Sequence, residues 1–187
     1  MAVENAYKRQ IKNRNFLAPT GFKLVLNRSP KVAFFSNAAN LPGITLGEAT
    51  HPTYLKDIPT PGDKIVFDDL NIRFMVEEDL KNYMELQNWI RGLGYPESVQ
   101  EIWDLQEEDR DITTKASHVM DIYSDGTLTV LGSSQLPIFK VLFRDLWPYS
   151  LTTLQFDATE TDVNYFTAEV GFKYTIYNIT DISGDAL

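Results

Sequence analysis

The stretch "NYFTAEVGFKYTIYNI", residues 164–179, decides the fold class. Phe166, Ala168, Val170, Phe172, Tyr174 and Ile176 fall on one side of an extended chain. Tyr165, Thr167, Glu169, Gly171, Lys173 and Thr175 fall on the other. An apolar repeat of period two is the mark of a half-buried β-strand. At ~3.3 Å per residue the run spans on the order of 45 Å, about twice an ordinary strand. A strand this long either bends sharply inside its domain or extends past it to pair with a neighbour.

Working outward, most of the chain reads as antiparallel β. "GFKLVLNRSPKVAFFS" predicts a hairpin turning at "NRSP", with "KVAFF" as the return strand. "ASHVMDIYSDGTLTVLGS" predicts another, turning at Asp125-Gly126. "PIFKVLFRDLWP" predicts a strand ended by Pro148, and "LTTLQFD" a separate one. Residues 40–62, rich in proline and glycine, read as a long loop with a short strand near Ile44–Leu46. A connection of that length is uncommon unless it is functional.

"VFDDLNIRFMVEEDLKNYMELQNWI", residues 66–90, reads as a strand leading directly into a helix. Ile72, Phe74 and Val76 share one face of the strand. Asp79 is the expected N-cap, with Glu77 and Glu78 near the positive end of the helix dipole. Leu80, Tyr83, Met84, Leu86, Ile90 and Leu93 recur at helical spacing, and "GLGYP" stops the helix. Ser98 and Glu101 have capping-box spacing, which predicts a short helix over 99–107. The sum is a mainly β chain: an antiparallel barrel or sandwich with one flanking α-helix. The expected organisation is an N-terminal arm over 1–18, one β domain over 19–178 and a short tail over 179–187.

Composition limits the function classes. The 187 residues are 43% hydrophobic and 12% aromatic, enough for a substantial core. The absence of cysteine excludes disulfides, thiolate metal sites and a cysteine nucleophile. No apolar run approaches the ~18 residues of a membrane span, and the N-terminus has no signal-like apolar segment, so a soluble protein without a membrane anchor is expected. The net charge of −9 argues against general nucleic-acid binding. The charge is also uneven. Residues 1–31 carry seven Lys/Arg, among them Lys8, Arg9, Lys12 and Arg14 in the arm, against one Glu. Residues 77–111 carry eleven Asp/Glu against three Lys/Arg. A molecule with one basic and one acidic region can stack head to tail on its own copies.

Chemistry finds little support. A triad or His₂-carboxylate site would need His51 and His118 to converge, and nothing in the sequence indicates it. "DIYSDG" lacks the ligands of a calcium loop at its third and twelfth positions. Asp68, Asp69, Glu77, Glu78 and Asp79 are the candidate acidic cluster. The first two lie at the opposite end of a strand from the last three, roughly 23 Å away. Two carboxylates acting on one bond need to be within ~10 Å. No catalytic, metal or cofactor-binding residues are expected.

The order "LPG", "FDDLNIRFMVEEDLKNYMELQNWI", "FRDLWPYSLTTLQFD" and a long alternating last strand resembles the tail tube proteins of contractile-tailed bacteriophages. The resemblance covers most of residues 20–178. Segment 95–111 is longer than the family's usual connection after the helix, and residues 43–59 match in character only. The resemblance implies a small β-barrel or sandwich with a flanking helix. It implies six copies per ring, rings stacked into a hollow tube, and strands of adjacent subunits joined into one barrel around the lumen. The implied partners are other copies, the sheath, the tape-measure protein and the baseplate tube initiator, with genomic DNA passing through unbound. The implied location is the phage tail, assembled in the host bacterial cytoplasm. Thr167, Glu169, Lys173 and Thr175 are then the expected lumenal face. Asp68, Asp69, Glu77, Glu78 and Asp79 form an acidic assembly surface, and the basic arm is its counterpart. The alternatives are a tube of the type VI secretion (Hcp-like) kind or a baseplate tube initiator, then a monomeric ligand-binding barrel or a carboxylate enzyme.

Overall fold

The computed structural model describes residues 16–110, 122–157, 159 and 165–185. The arm residues Lys8, Arg9, Lys12 and Arg14, and His118, lie outside them. The elements in chain order are β1 (Phe22–Leu26), α1 (Pro30–Phe34), β2 (Ser36–Ala39), β3 (Ile44–His51), β4 (Ile58–Phe67) and β5 (Leu70–Met75). After these come α2 (Lys81–Gly94), α3 (Gln100–Arg110), β6 (Ser124–Leu131), β7 (Pro137–Leu151), β8 (Thr167–Lys173) and β9 (Ile176–Thr180). The fold is mainly β with antiparallel pairing throughout, as the alternation predicts.

Seven strands form one sheet, in the order β1-β6-β7-β8-β5-β2 with β9 also on β7. Strand β7 organises it. Its first part pairs with β6 on one edge and β9 on the other, and its last part pairs with β8. The opening stretch therefore bends rather than leaving the domain. β8 and β9 meet β7 in one register, Lys140↔Thr180 through Pro148↔Phe172, interrupted only at Tyr174 and Thr175. The Thr175 N–H still donates to the Arg144 carbonyl at 3.0 Å, so the ladder carries on round the bend. Opposite it, Asp145 turns β7 with a left-handed φ of 56°, and its N–H donates to the Asp125 carboxylate at 3.3 Å. The bend shifts the phase of the alternation. Ala168, Val170 and Phe172 are buried as predicted, but Ile176 is exposed and Tyr177 takes the inward place beside Phe143.

One core holds the sheet's two halves together. Leu24, Leu26, Leu128, Val141, Phe143 and Leu146 come from one half; Leu70, Ile72, Phe74, Ala168, Val170 and Phe172 come from the other. Helix α2 covers them with Leu86 and Trp89. Trp89 packs on Phe172, takes the Arg28 guanidinium over its ring at 5.2 Å and donates from Nε1 to the Ile122 carbonyl at 3.0 Å. The buried side of α2 runs Asn82, Leu86, Trp89 and Gly92, so the predicted stripe is out of phase at Leu80 and Met84, both exposed.

Several local readings are corrected. "PKVAF" is helix α1, not a return strand, because Pro30 sits where its fixed φ and missing N–H suit a helix start. Strand β1 pairs instead with β6. Asp125-Gly126 lies within β6, and the chain reverses at Gly132–Leu136, with Gln135 at φ 60°. Pro148 does not end β7; the strand passes through it to Leu151 with an irregularity between Pro148 and Ser150, and residues 152–157 form no strand. The predicted loop over 40–62 is largely a hairpin of β3 and β4. Where the sequence predicts one main helix, the described residues form three. Helix α3 occupies the place the capping-box spacing indicated, and the Glu101 carboxylate accepts the Glu97 N–H at 3.4 Å.

Candidate functional site

The candidate site is a pair of surfaces rather than a pocket: the wet face around β8, and the β3–β4 hairpin that projects from it. Strand β4 ends at Phe67 and β5 begins at Leu70, so Asp68 and Asp69 form the joint between hairpin and sheet. Their surroundings fasten that joint. The Asp68 N–H donates to the Gly43 carbonyl at 3.0 Å. Asn40 accepts from the Asn71 N–H at 2.6 Å and donates to the Asp69 carbonyl at 2.9 Å. The Tyr174 hydroxyl donates to the Asp68 carbonyl at 2.8 Å and the Tyr177 hydroxyl to the Pro42 carbonyl at 3.1 Å. Burial, with smaller effects from Tyr177, Asp68 and Asp69, pushes the Tyr174 pKa up to about 12, which keeps it a donor.

The Asp69 carboxylate completes the joint. It accepts from Lys173 Nζ at 2.5 Å and from the Tyr149 hydroxyl at 2.7 Å, while the ammonium lies over the Tyr149 ring at 5.0 Å. Lys173 first and Tyr149 second hold the Asp69 carboxyl below the usual carboxylate range. The same pairing with Asp69 raises Lys173 and Tyr149. Gly171 makes room for this arrangement, because a Cβ there would lie 2.7 Å from the Tyr149 ring.

This latch sets a pH window. Because Asp69 is depressed in the folded state, its contribution is present above the ordinary carboxylate pKa of ~3.9 and lost as pH falls through the folded value. Because Lys173 is raised, its contribution is present below ~10.4 and lost as pH rises through its folded value. Lys173→Met should therefore lower stability at pH 7, and the gap to wild type in urea titrations should close towards pH 2. A gap constant from pH 7 to pH 2 would mean that Asp69 is not the partner that matters.

The sequence-predicted residues divide clearly. Thr167, Glu169, Lys173 and Thr175 are all exposed; the first three project from the solvent face of β8, and Thr175 sits in the bend. Arg73 of β5 is the cross-strand neighbour of Glu169 and donates to Asn37 at 3.1 Å. Both cations on this face thus have a carboxylate beside or opposite them. Asp68 and Asp69 lie at one end of β5, and Glu77, Glu78 and Asp79 at the other. The five do not converge, and among the described residues no group of three or more His, Asp or Glu is placed to hold a metal. Asp79 is not the N-cap. Leu80 is, at φ 57°, while Asp79 accepts the Lys81 N–H at 3.3 Å and pairs with its ammonium. The turn is held by buried Asn82, which donates to the Met75 carbonyl and accepts the Glu77 N–H. Sequence reasoning passed over Asn82. Its only signal was a polar residue seven positions before Trp89, on the same helical face.

The hairpin is the other surface. Every residue of β3 is exposed, as are most of β4, and at its tip Tyr54 and Leu55 are bare to solvent. Ile44, Leu46 and Ile65 form an apolar face near its base, with Phe67 beneath. A two-stranded hairpin is marginal alone in water. Seven strands share one core, and an apolar hairpin stands clear of it; exposed apolar patches of this kind mark interaction sites.

The same fold occurs in solved contractile injection systems. A chain in the cryo-EM structure of the anti-feeding prophage cap, the tube-terminating cap, is similar with a TM-score of 0.59 and 13% identity, over 97% of this chain and 99% of that one. A chain in the sheath–tube complex of the PVC extracellular contractile injection system, in the extended state, gives 0.58 and 12%, over 89% and 93%. One in the anti-feeding prophage baseplate gives 0.52 and 11%, over 86% and 91%. At these identities the likeness is one of fold. No curated protein sequence matches the chain. The family model for phage tail tube proteins matches residues 2–180, and the chain belongs to that family. Its role is that of a structural tube protein.

Proposed function

We propose that six copies close into a ring and that rings stack head to tail as the inner tube of a contractile phage tail. The observation that carries this reading is the β3–β4 hairpin, whose exposed apolar residues no other part of the described chain covers. The sheet is also incomplete. Among the described residues strands β1 and β2 stand at its ends, and pairing with strands of other copies would remove those edges.

The face bearing Thr167, Glu169, Lys173 and Thr175 lines the lumen in this reading. Its mixed charges suit a conduit for DNA and tape-measure protein, because duplex DNA would bind a bare basic wall. The basic arm, Lys8, Arg9, Lys12 and Arg14, meets the acidic surface of Asp68, Asp69, Glu77, Glu78 and Asp79 between rings. The outer surface meets the sheath, and the ends of the tube meet the baseplate initiator. Assembly takes place in the host cytoplasm and the product belongs to the virion. The second reading, a baseplate tube initiator or secretion-type tube, draws on the similar baseplate chain.

Negative-stain microscopy of the purified protein should show six-fold rings or tubes. A monomer that persists at high concentration would overturn the hexamer. Tubes formed without the sheath gene product and unable to bind it would favour the secretion-type reading.

A further inference from the structure

A groove of about 340 Å³ runs beside β1. All five consecutive residues Phe22–Leu26 line it, with Pro30, Ala33 and Phe34 of α1 on its far wall. Residues from both faces of a strand can line one groove only if the groove follows the strand's edge. Among the described residues β1 is an end strand of its sheet, so this trough presents backbone that no described strand pairs along one side and apolar side chains along the other. Phe34, 82% exposed, stands at its rim.

An occupant must therefore be extended and must bring apolar side chains at alternate positions. The hairpin supplies such a strand, and its two outer edges differ. Pro59 and Pro61 occupy alternate positions of β4, paired with Thr50 and Glu48. Prolines in a sheet sit where the missing N–H faces outward, so the outer edge of β4 lacks two donors and resists pairing. Strand β3, "ITLGEATH", contains no proline, and Ile44 and Leu46 point to one face at period two. Charge agrees. Residues 21–36 carry Lys23, Arg28 and Lys31 and no carboxylate, whereas residues 48–63 carry Glu48, Asp57 and Asp63 against Lys56.

We propose that the outer edge of β3 in one copy adds to the edge of β1 in the next, seating Ile44 and Leu46 in the β1–α1 groove. The contact is heterologous, since the two surfaces differ, and so it propagates from copy to copy. It rests on the tube reading and adds which edge meets which.

Because the chain has no cysteine, cross-linking tests this directly. Val25→Cys protein and Thr45→Cys protein would be mixed, allowed to assemble and treated with a short bis-maleimide. The proposal expects a covalent dimer in the mixture, absent from either variant alone and from a control mixture of Val25→Cys with Asn178→Cys. Rings or tubes that form without this dimer overturn the β3–β1 contact and leave the tube reading standing. Cross-linking of Val25→Cys to Ile11→Cys instead would assign the groove to the N-terminal segment, and the proposal would fail. No oligomer of any kind would overturn both.

Discussion

Trp89→Ala should lower the unfolding free energy by about 3–5 kcal/mol, the cost of emptying a large aromatic site in a core. Domains of ordinary stability hold only ~5–15 kcal/mol in total, and for a chain of this length the melting temperature should fall by roughly 6–20 °C. The effect is large because Trp89 is a junction. It is 2% exposed, touches Phe172 of the sheet, carries Arg28 over its ring and donates to Ile122. Arg28 also donates to the Leu105 carbonyl of α3 at 2.9 Å, so the same ring helps hold both helices to the sheet. Trp89→Phe should recover much of the packing but not the hydrogen bond, and should fall between the two. Urea or thermal unfolding measures this. A loss under 1 kcal/mol for the alanine variant would show that the helix layer contributes little to the fold.

Gly62→Val should do the reverse, leaving the domain's stability near wild type while crippling assembly. A Cβ at Gly62 would sit 2.6 Å from the Gly47 carbonyl oxygen and 2.9 Å from its carbon, where the hairpin register slips between Leu46 and Glu48. Both are backbone atoms and cannot swing aside, so β3 and β4 must splay. The core lies elsewhere and does not feel it. If docking must first overcome ~1–3 kcal/mol of such strain, each association step weakens roughly 5- to 150-fold. Sedimentation and tube-length counts should show the loss beside an unshifted melting curve. Gly94→Ala, which enters open space, should assemble normally. Normal tubes from Gly62→Val would remove the hairpin from the assembly mechanism.

The parts of the fold legible in the sequence were those where local pattern and burial agree. Ile72 and Phe74, and Ala168, Val170 and Phe172, alternate because one side of each strand lies on the core. Helix α3 was legible from Ser98 and Glu101 because capping is a matter of four residues. The misreadings arose where distant partners decide. "KVAFF" has strand composition, but Pro30 starts a helix and β1 finds its partner a hundred residues later in β6. Asp125-Gly126 resembles a turn, yet the Asp125 backbone and carboxylate are used by Asn27 and Asp145. The β3–β4 hairpin hid because its strands alternate poorly, with apolar residues on surfaces that face no core among the described residues. The acidic cluster is split by β5 into two groups, one at each end of the strand. Its Asp69 matters through Lys173 and Tyr149, contacts across about eighty and a hundred positions that spacing does not signal.

The bent ribbon of β7 against β8 and β9 has a mechanical consequence. Seven paired positions lie along it in one antiparallel register, with two more beyond the irregularity between Pro148 and Ser150, running through both halves of the sheet and past the bend at Asp145. A pull along the ribbon loads those rungs side by side, so they must shear together rather than peel one at a time. Resistance to such a load is set by the rate of unfolding rather than by equilibrium stability. A subunit with this spine can withstand a sudden brief load along the ribbon even if its thermal stability is ordinary.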